Sequence, residues 1–237
     1  METIARFMDP ERRTNLALGA LRVAADLSTR GLLFGLYEAV LRTSGASKPG
    51  PLAAWLIGLL AYDFLYYWAH RAQHRIGLLW TVHAVHHQAR RFDVTVGLRV
   101  SVLNGLVLFP CSLPLALLGI PTSVYASVTL LHAVLMTWLH TECIPELGFL
   151  ERVLNTPALH RVHHSRNPAH ADRNFGGVLS VWDLAFGTYT APEPVSEYGV
   201  IGAPTAVGIV EAHVAPLREL RRSSFEPPRT PEAADAL

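Results

Sequence analysis

Charge is what this 237-residue chain has least of: charged residues make up 16% of it, hydrophobic residues 50%, and its mean hydropathy is positive. That is too apolar for an ordinary soluble domain of this length and points to a membrane protein. Lysine is nearly absent, with Lys48 alone against nineteen arginines, a balance that suits a GC-rich bacterial genome. The formal net charge is only +1 and the arginines form no patch, which excludes a nucleic-acid partner. Two cysteines, Cys111 and Cys143, make no C-x-x-C pair and no haem-attachment or iron–sulfur motif. There is no G-x-G-x-x-G segment and so no dinucleotide or flavin fingerprint, and no H-E-x-x-H of a zinc protease. The first residues lack the uninterrupted apolar core and small-residue cleavage site of a signal peptide.

What is abundant is apolar sequence in long runs. Residues 51–69 carry a single charge, Asp63, and 100–120 and 121–139 carry none. At about 1.5 Å per helical residue each just spans a bilayer core of roughly 30 Å. Gly119 and Pro121 mark a turn between the last two. The stretch 15–41 is interrupted by Arg22, Asp26 and Arg30 and fits either a spanning or an interfacial helix. The expectation is an all-α membrane bundle of three or four transmembrane helices with a cytoplasmic, histidine-rich cap.

Eight of the twelve histidines fall into three clusters: His70 and His74; His83, His86 and His87; His160, His163 and His164. Spacings of three and four put imidazoles on one helix face, about 5 to 6 Å apart at Cβ. Neutral imidazole is the commonest metal ligand. Eight such residues, with His140 as a ninth, exceed what one ion takes and imply two. Spacing alone leaves iron and zinc both open. His132, His170 and His213 stand alone and are read as bystanders. Because 100–139 goes out and back, all the clusters and His140 share one side of the membrane. Arg71, Arg75, Arg90, Arg91, Arg99, Arg152, Arg161, Arg166 and Arg173 lie on that side, which makes it cytoplasmic, at a bacterial inner membrane. Asp63, Glu142 and Asn174 are the polar residues placed to orient ligands or bound water. Arg71 and Arg161 are candidates to clamp Asp63, Asp183 or Glu142, with lipid headgroups as the alternative. Trp68, Trp80, Trp138 and Trp182 fit an interfacial belt.

Read together, Asp63, Tyr66, Tyr67, His70-Arg71-x-x-His74, Leu79-Trp80 and His83-x-x-His86-His87 resemble the front half of the fatty acid hydroxylase and sterol desaturase superfamily. His140, Asn155-Thr156-Pro157, His160-Arg161-x-His163-His164, Asn174-Phe175-Gly176, Trp182-Asp183 and Phe186-Gly187-Thr188 match its back half. His140-Thr141-Glu142 is similar to the alkylglycerol monooxygenase branch, whereas Arg75, Gln88, Leu159 and Leu184 depart from it. The resemblance implies an integral-membrane di-iron oxygenase: two iron ions on the nine histidines, dioxygen as cosubstrate, and a sterol, fatty acyl or ether lipid hydroxylated or desaturated. With no redox motif in the chain, electrons come from an external donor: a reductase, a ferredoxin or cytochrome b5-like carrier, or a pterin. The alternative is a catalytically silent, metal-binding membrane scaffold. The chain divides into an N-terminal apolar segment (1–50), the catalytic domain (51–190), an amphipathic segment (191–222) whose 204–222 part lies over the site, and a disordered tail (223–237).

Overall fold

The structure, a computed structural model, describes residues 9–203 and 206–222; the tail expected at 223–237 lies outside them. Eight α-helices follow in order: α1 Pro10–Thr43, α2 Pro51–Arg75, α3 Gly77–His87, α4 Asn104–Leu117, α5 Thr122–Trp138, α6 Pro157–His163, α7 Val181–Ala185 and α8 Ile209–Arg222. Among the described residues there is no strand, only isolated bridges such as Leu154 with Leu179.

Local chemistry sets the helix ends. Asp9 caps α1, its carboxylate accepting from Glu11 N at 3.0 Å, and Pro10 opens the first turn. Pro51 opens α2. Gly119, at φ +77°, turns α4 into α5, and a Cβ there would sit 2.4 Å from Ser47 O, so only glycine fits against the α1–α2 loop. The core at this end of the bundle joins four helices: Tyr37 stacks on Tyr125 with centroids 4.2 Å apart and donates to Ile120 O at 3.0 Å, while Leu115, Ala54 and Val128 close around them.

The helices differ in length from the apolar runs that contain them. α4 has 14 residues and α5 has 17, about 21 and 26 Å, because residues 100–103 form a turn, α4 ends before Gly119, and Pro121 restarts the chain. One described helix, α2, is long and apolar enough to cross a membrane, and only 28% of its apolar window is buried within the protein. The interrupted stretch 15–41 belongs to one unbroken 34-residue helix. At the opposite end from Gly119, α3 packs against α8, where Ala212 is fully buried and its carbonyl accepts from Gln88 Nε2 at 3.1 Å.

Candidate metal centre

Nine buried histidines meet at that end in two groups. His70, His74, His83, His87 and His163 form one, His86, His140, His160 and His164 the other, and within each group the donor nitrogens lie within 4.8 Å of one another. α2 supplies His70 and His74, α3 supplies His83, His86 and His87, His140 follows two residues beyond the end of α5, and α6 with its C-cap supplies the rest. Helical spacing keeps His70 and His74 in one group and splits the other two clusters: His83 and His87 point one way and His86 the other, and His163 separates likewise from His160 and His164.

The sequence builds α6 from its N-terminal motif. Thr156 caps it by accepting from Leu159 N, Pro157 fills the first turn, and Asn155 Nδ2 donates to Gly176 O at 2.6 Å and Gly177 O at 3.1 Å. That bond ties α6 to the loop running from Arg173 to Thr188, and the loop holds the imidazoles. His163 Nδ1 donates to Arg173 O at 2.8 Å and His70 Nδ1 to Phe175 O at 2.9 Å. His86 Nδ1 likewise donates to Arg99 O at 3.1 Å and His140 Nδ1 to Met136 O at 2.9 Å. A carbonyl can only accept, so in these four rings the proton sits on Nδ1 and the Nε2 lone pair is bare.

Those lone pairs face one another. His86 Nε2 and His140 Nε2 are 3.1 Å apart with both ring protons already committed to carbonyls, an arrangement that repels unless a cation lies between. The other close nitrogen pairs, His70 with His83 at 3.0 Å, His83 with His87 at 3.1 Å and His140 with His160 at 3.0 Å, also fall within a group. Nitrogens at right angles about 2.1 Å from one ion lie about 3.0 Å apart, against about 3.4 Å for a tetrahedral pair. The donor set therefore fits two metal ions, and its spacing suits five or six ligands better than a tetrahedral site. Nε2 of His74, His163 and His164 is buried without a hydrogen-bond partner, as a ligand atom would be. Burial holds the imidazoles neutral, with His86 and His163 pushed down to about 4 and His83, His87, His140, His160 and His164 well below the usual 6.5.

The three other residues singled out in the sequence sit outside this shell. Asp63 accepts from Val178 N at 2.6 Å, Leu179 N at 3.2 Å and Trp182 Nε1 at 2.8 Å, so it fastens the histidine-holding loop to α2. Asn174, at φ +55°, bonds Leu159 O, Thr190 O and Thr190 N between the two residues whose carbonyls hold His163 and His70. Glu142 lies at the exposed rim and accepts from Tyr198 OH at 3.0 Å. Among the described residues none of the three contacts a ligand nitrogen. The arginines also act differently from expectation. Arg161 clamps the carbonyls of Thr141 and Ile144, both at 2.9 Å, beside His140, and Arg71 donates to Tyr67 OH at 3.1 Å and lies over Trp68. Trp80 packs on His74 and His87 and Trp182 bonds Asp63, so two of the four belt tryptophans belong to the site. His132 and His170 are buried, the first 3.4 Å from Asp63 and the second paired with Glu193.

Sequence reasoning gave Arg99 only a place in the charge count across the membrane and Asp183 only a pairing with Arg71 or Arg161, and passed over Asp172. Arg99 is wholly buried and donates to Val85 O, Asn15 Oδ1, Gln88 Oε1 and Ala206 O while its own carbonyl holds His86. Asp172 puts a carboxylate 3.7 Å from His74 Nδ1 and 3.3 Å from Arg75 Nε. Asp183 accepts from Phe175 N at 2.7 Å, Gly176 N at 2.8 Å and Thr188 Oγ1 at 2.7 Å.

Comparison with known proteins covers this same region: the fatty acid hydroxylase family matches residues 55–188, from α2 past α7, with all nine histidines inside. The chain belongs to the fatty acid hydroxylase family. Similar proteins include the alkylglycerol monooxygenase of Danio rerio, 41% identical over 157 residues (66% of this chain, 34% of the relative), and that of Homo sapiens, 42% over 146 residues (62% and 33%). The ornithine lipid hydroxylase OlsE of Rhizobium tropici is 33% identical over 150 residues, 62% of this chain and 45% of the relative. The chain thus spans less than half the length of these curated relatives. No solved structure matches it.

Proposed function

We propose that this member of the fatty acid hydroxylase family is a membrane-embedded di-iron oxygenase that hydroxylates a lipid, with residues 51–190 as its catalytic unit. The observation that carries the reading is the five-and-four division of nine neutral imidazoles, with the bare lone pairs of His86 and His140 facing each other. Imidazole suits iron, and spacing for more than four ligands leaves positions that a closed tetrahedral site lacks. The similar proteins are named as an alkylglycerol monooxygenase and an ornithine lipid hydroxylase, which favours hydroxylation over desaturation. Bound iron would supply the activation of dioxygen, for an overall conversion of R–H, dioxygen, two electrons and two protons into R–OH and water. The electrons come from an external donor, a protein carrier or a pterin.

The chain's own contribution is position and dryness. Carbonyls of Arg99, Met136, Arg173 and Phe175 fix four rings, and Phe92, Phe175 and Trp80 shield the imidazole edges. A membrane setting is supported by the exposed leucines on α1, α2, α4 and α5, among them Leu27, Leu52, Leu117 and Leu130 at 58 to 74% exposure. In this reading α1, α2, α4 and α5 are embedded, and the histidine end faces the cytoplasm.

The test is to purify the full chain with its metals, measure metal per chain, and follow host lipids under oxygen-18. Two irons per chain and a lipid heavier by one labelled oxygen support the proposal. Stoichiometric zinc without redox response overturns it in favour of a scaffold, and loss of two hydrogens without label replaces hydroxylation by desaturation.

A further inference from the structure

Backbone carbonyls hold the Nδ1–H of His70, His86, His140 and His163, and none of these acceptors carries a full charge. His74 is held differently. Among the described residues it is the one histidine of the nine with a carboxylate beside a ring nitrogen, Asp172 Oδ1 lying 3.7 Å from its Nδ1. The opposite nitrogen, Nε2, is buried without a hydrogen-bond partner. The carboxylate thus favours the tautomer with its proton on Nδ1 and leaves the Nε2 lone pair for the cluster. Two local features place this charge. Asp172 sits at φ +59°, a left-handed turn that aspartate tolerates better than most side chains, and the next residue, Arg173, presents the carbonyl that holds His163. One turn therefore orients two histidines of the same group. Arg75, the neighbour of His74 at the end of α2, takes the other oxygen, with Nε 3.3 Å from Asp172 Oδ2. An ion pair made only for the surface has no need of a left-handed backbone, or of a buried imidazole behind it.

We infer that Asp172 is a positioning residue for His74, with Arg75 as its clamp, and that it makes the five-histidine group the more strongly donating of the two metal sites. This rests on the two-ion reading of the nine histidines and goes beyond it by making the two sites unequal in charge. A cation taken by Nε2 withdraws electrons from the ring and makes Nδ1–H a stronger donor, which draws the carboxylate in and holds the ring in place. Attraction between carboxylate and cation acts in the same direction, and in a site screened from water it reaches across an imidazole. The four-histidine group has no such partner. Its His86 and His140 are backed by neutral carbonyls, and among the described residues no carboxylate lies beside a ring nitrogen of His160 or His164.

The full chain loaded with cobalt(II), whose visible absorption reports the occupied sites, and challenged with graded EDTA tests this by giving a separate affinity for each ion. Asp172→Asn keeps the size of the side chain and its tolerance of a left-handed turn, and removes the charge. It should weaken one ion by about tenfold to hundredfold and leave the other within about twofold of the wild type. Arg75→Met should weaken the same ion by a smaller factor, and Arg75→Lys should restore most of the loss. Because Arg75 is half exposed, this pair of variants carries the test should Asp172→Asn fail to fold. In a His74→Ala chain, Asp172→Asn should change the affinity of that ion no further, since the ring it acts on is gone. Equal weakening of both ions with a lower unfolding midpoint would make Asp172 a brace for the loop and overturn the inference. So would an Asp172→Asn chain that keeps both ions as the wild type does. Cobalt retention is read without turnover, so a chain that shows this pattern but incorporates no labelled oxygen loses only the oxygenase reading.

Discussion

A buried imidazole whose Nδ1–H is given to a carbonyl has one thing left to offer, the lone pair on Nε2. Four of the nine histidines are fixed this way, which makes single substitutions severe. His86→Ala should lower bound metal by more than the tenfold to hundredfold typical of residues behind the ligands, whereas His213→Ala, half-buried on α8 and outside both groups, should leave metal content unchanged. Metal analysis of the purified variants checks both. Arg99→Met removes four hydrogen bonds from a buried guanidinium and should destabilise the fold by about 2 to 4 kcal/mol, read from thermal unfolding. That the histidines of each cluster would gather was legible in the sequence because helical spacing gives it away. Arg99 and Asp172 were not: one is anchored mainly by backbone carbonyls and amide side chains and the other by a left-handed turn at φ +59°, neither of which leaves a pattern.

Between residue and fold lies the segment from Arg173 to Thr188, irregular except for the short α7, which places His163 and His70. Two buried carboxylates hold it, Asp63 from α2 and Asp183 from within. Asp63→Asn puts an amide donor where acceptors are needed by Val178 N, Leu179 N and Trp182 Nε1. It should cost about 1 to 3 kcal/mol and loosen metal at His70 without removing any ligand, so stability and metal retention on dialysis should fall together. Asp63 and Asn174 stood out in the sequence, but their bonds to the loop backbone needed the structure. Helix existence was equally legible from the apolar runs. The shorter extents of α4 and α5 were not, since hydropathy continues smoothly through residues that the backbone uses for turns.

For the molecule as a whole, the site makes stability depend on acid. His86 and His163 titrate near 4 in the folded chain against 6.5 when exposed, so in between the unfolded state binds more protons. The metal-free protein should therefore be most stable above pH 6.5 and lose stability as pH falls from there through about 4, which an unfolding series across pH will show. The membrane arrangement has its own check. In a chain carrying Cys143→Ser, a cysteine at exposed Ser47 should react with an impermeant reagent on the opposite face from one at exposed Asn167. Labelling from one face would mean that α2 does not cross the membrane. The interleaving of the histidines also sets a timetable for biosynthesis. His163 completes one group and His160 and His164 the other, so neither is whole until the ribosome has passed α6. Up to then neither group has its full set of imidazoles, so in the reading proposed above metal loading follows the synthesis of α6.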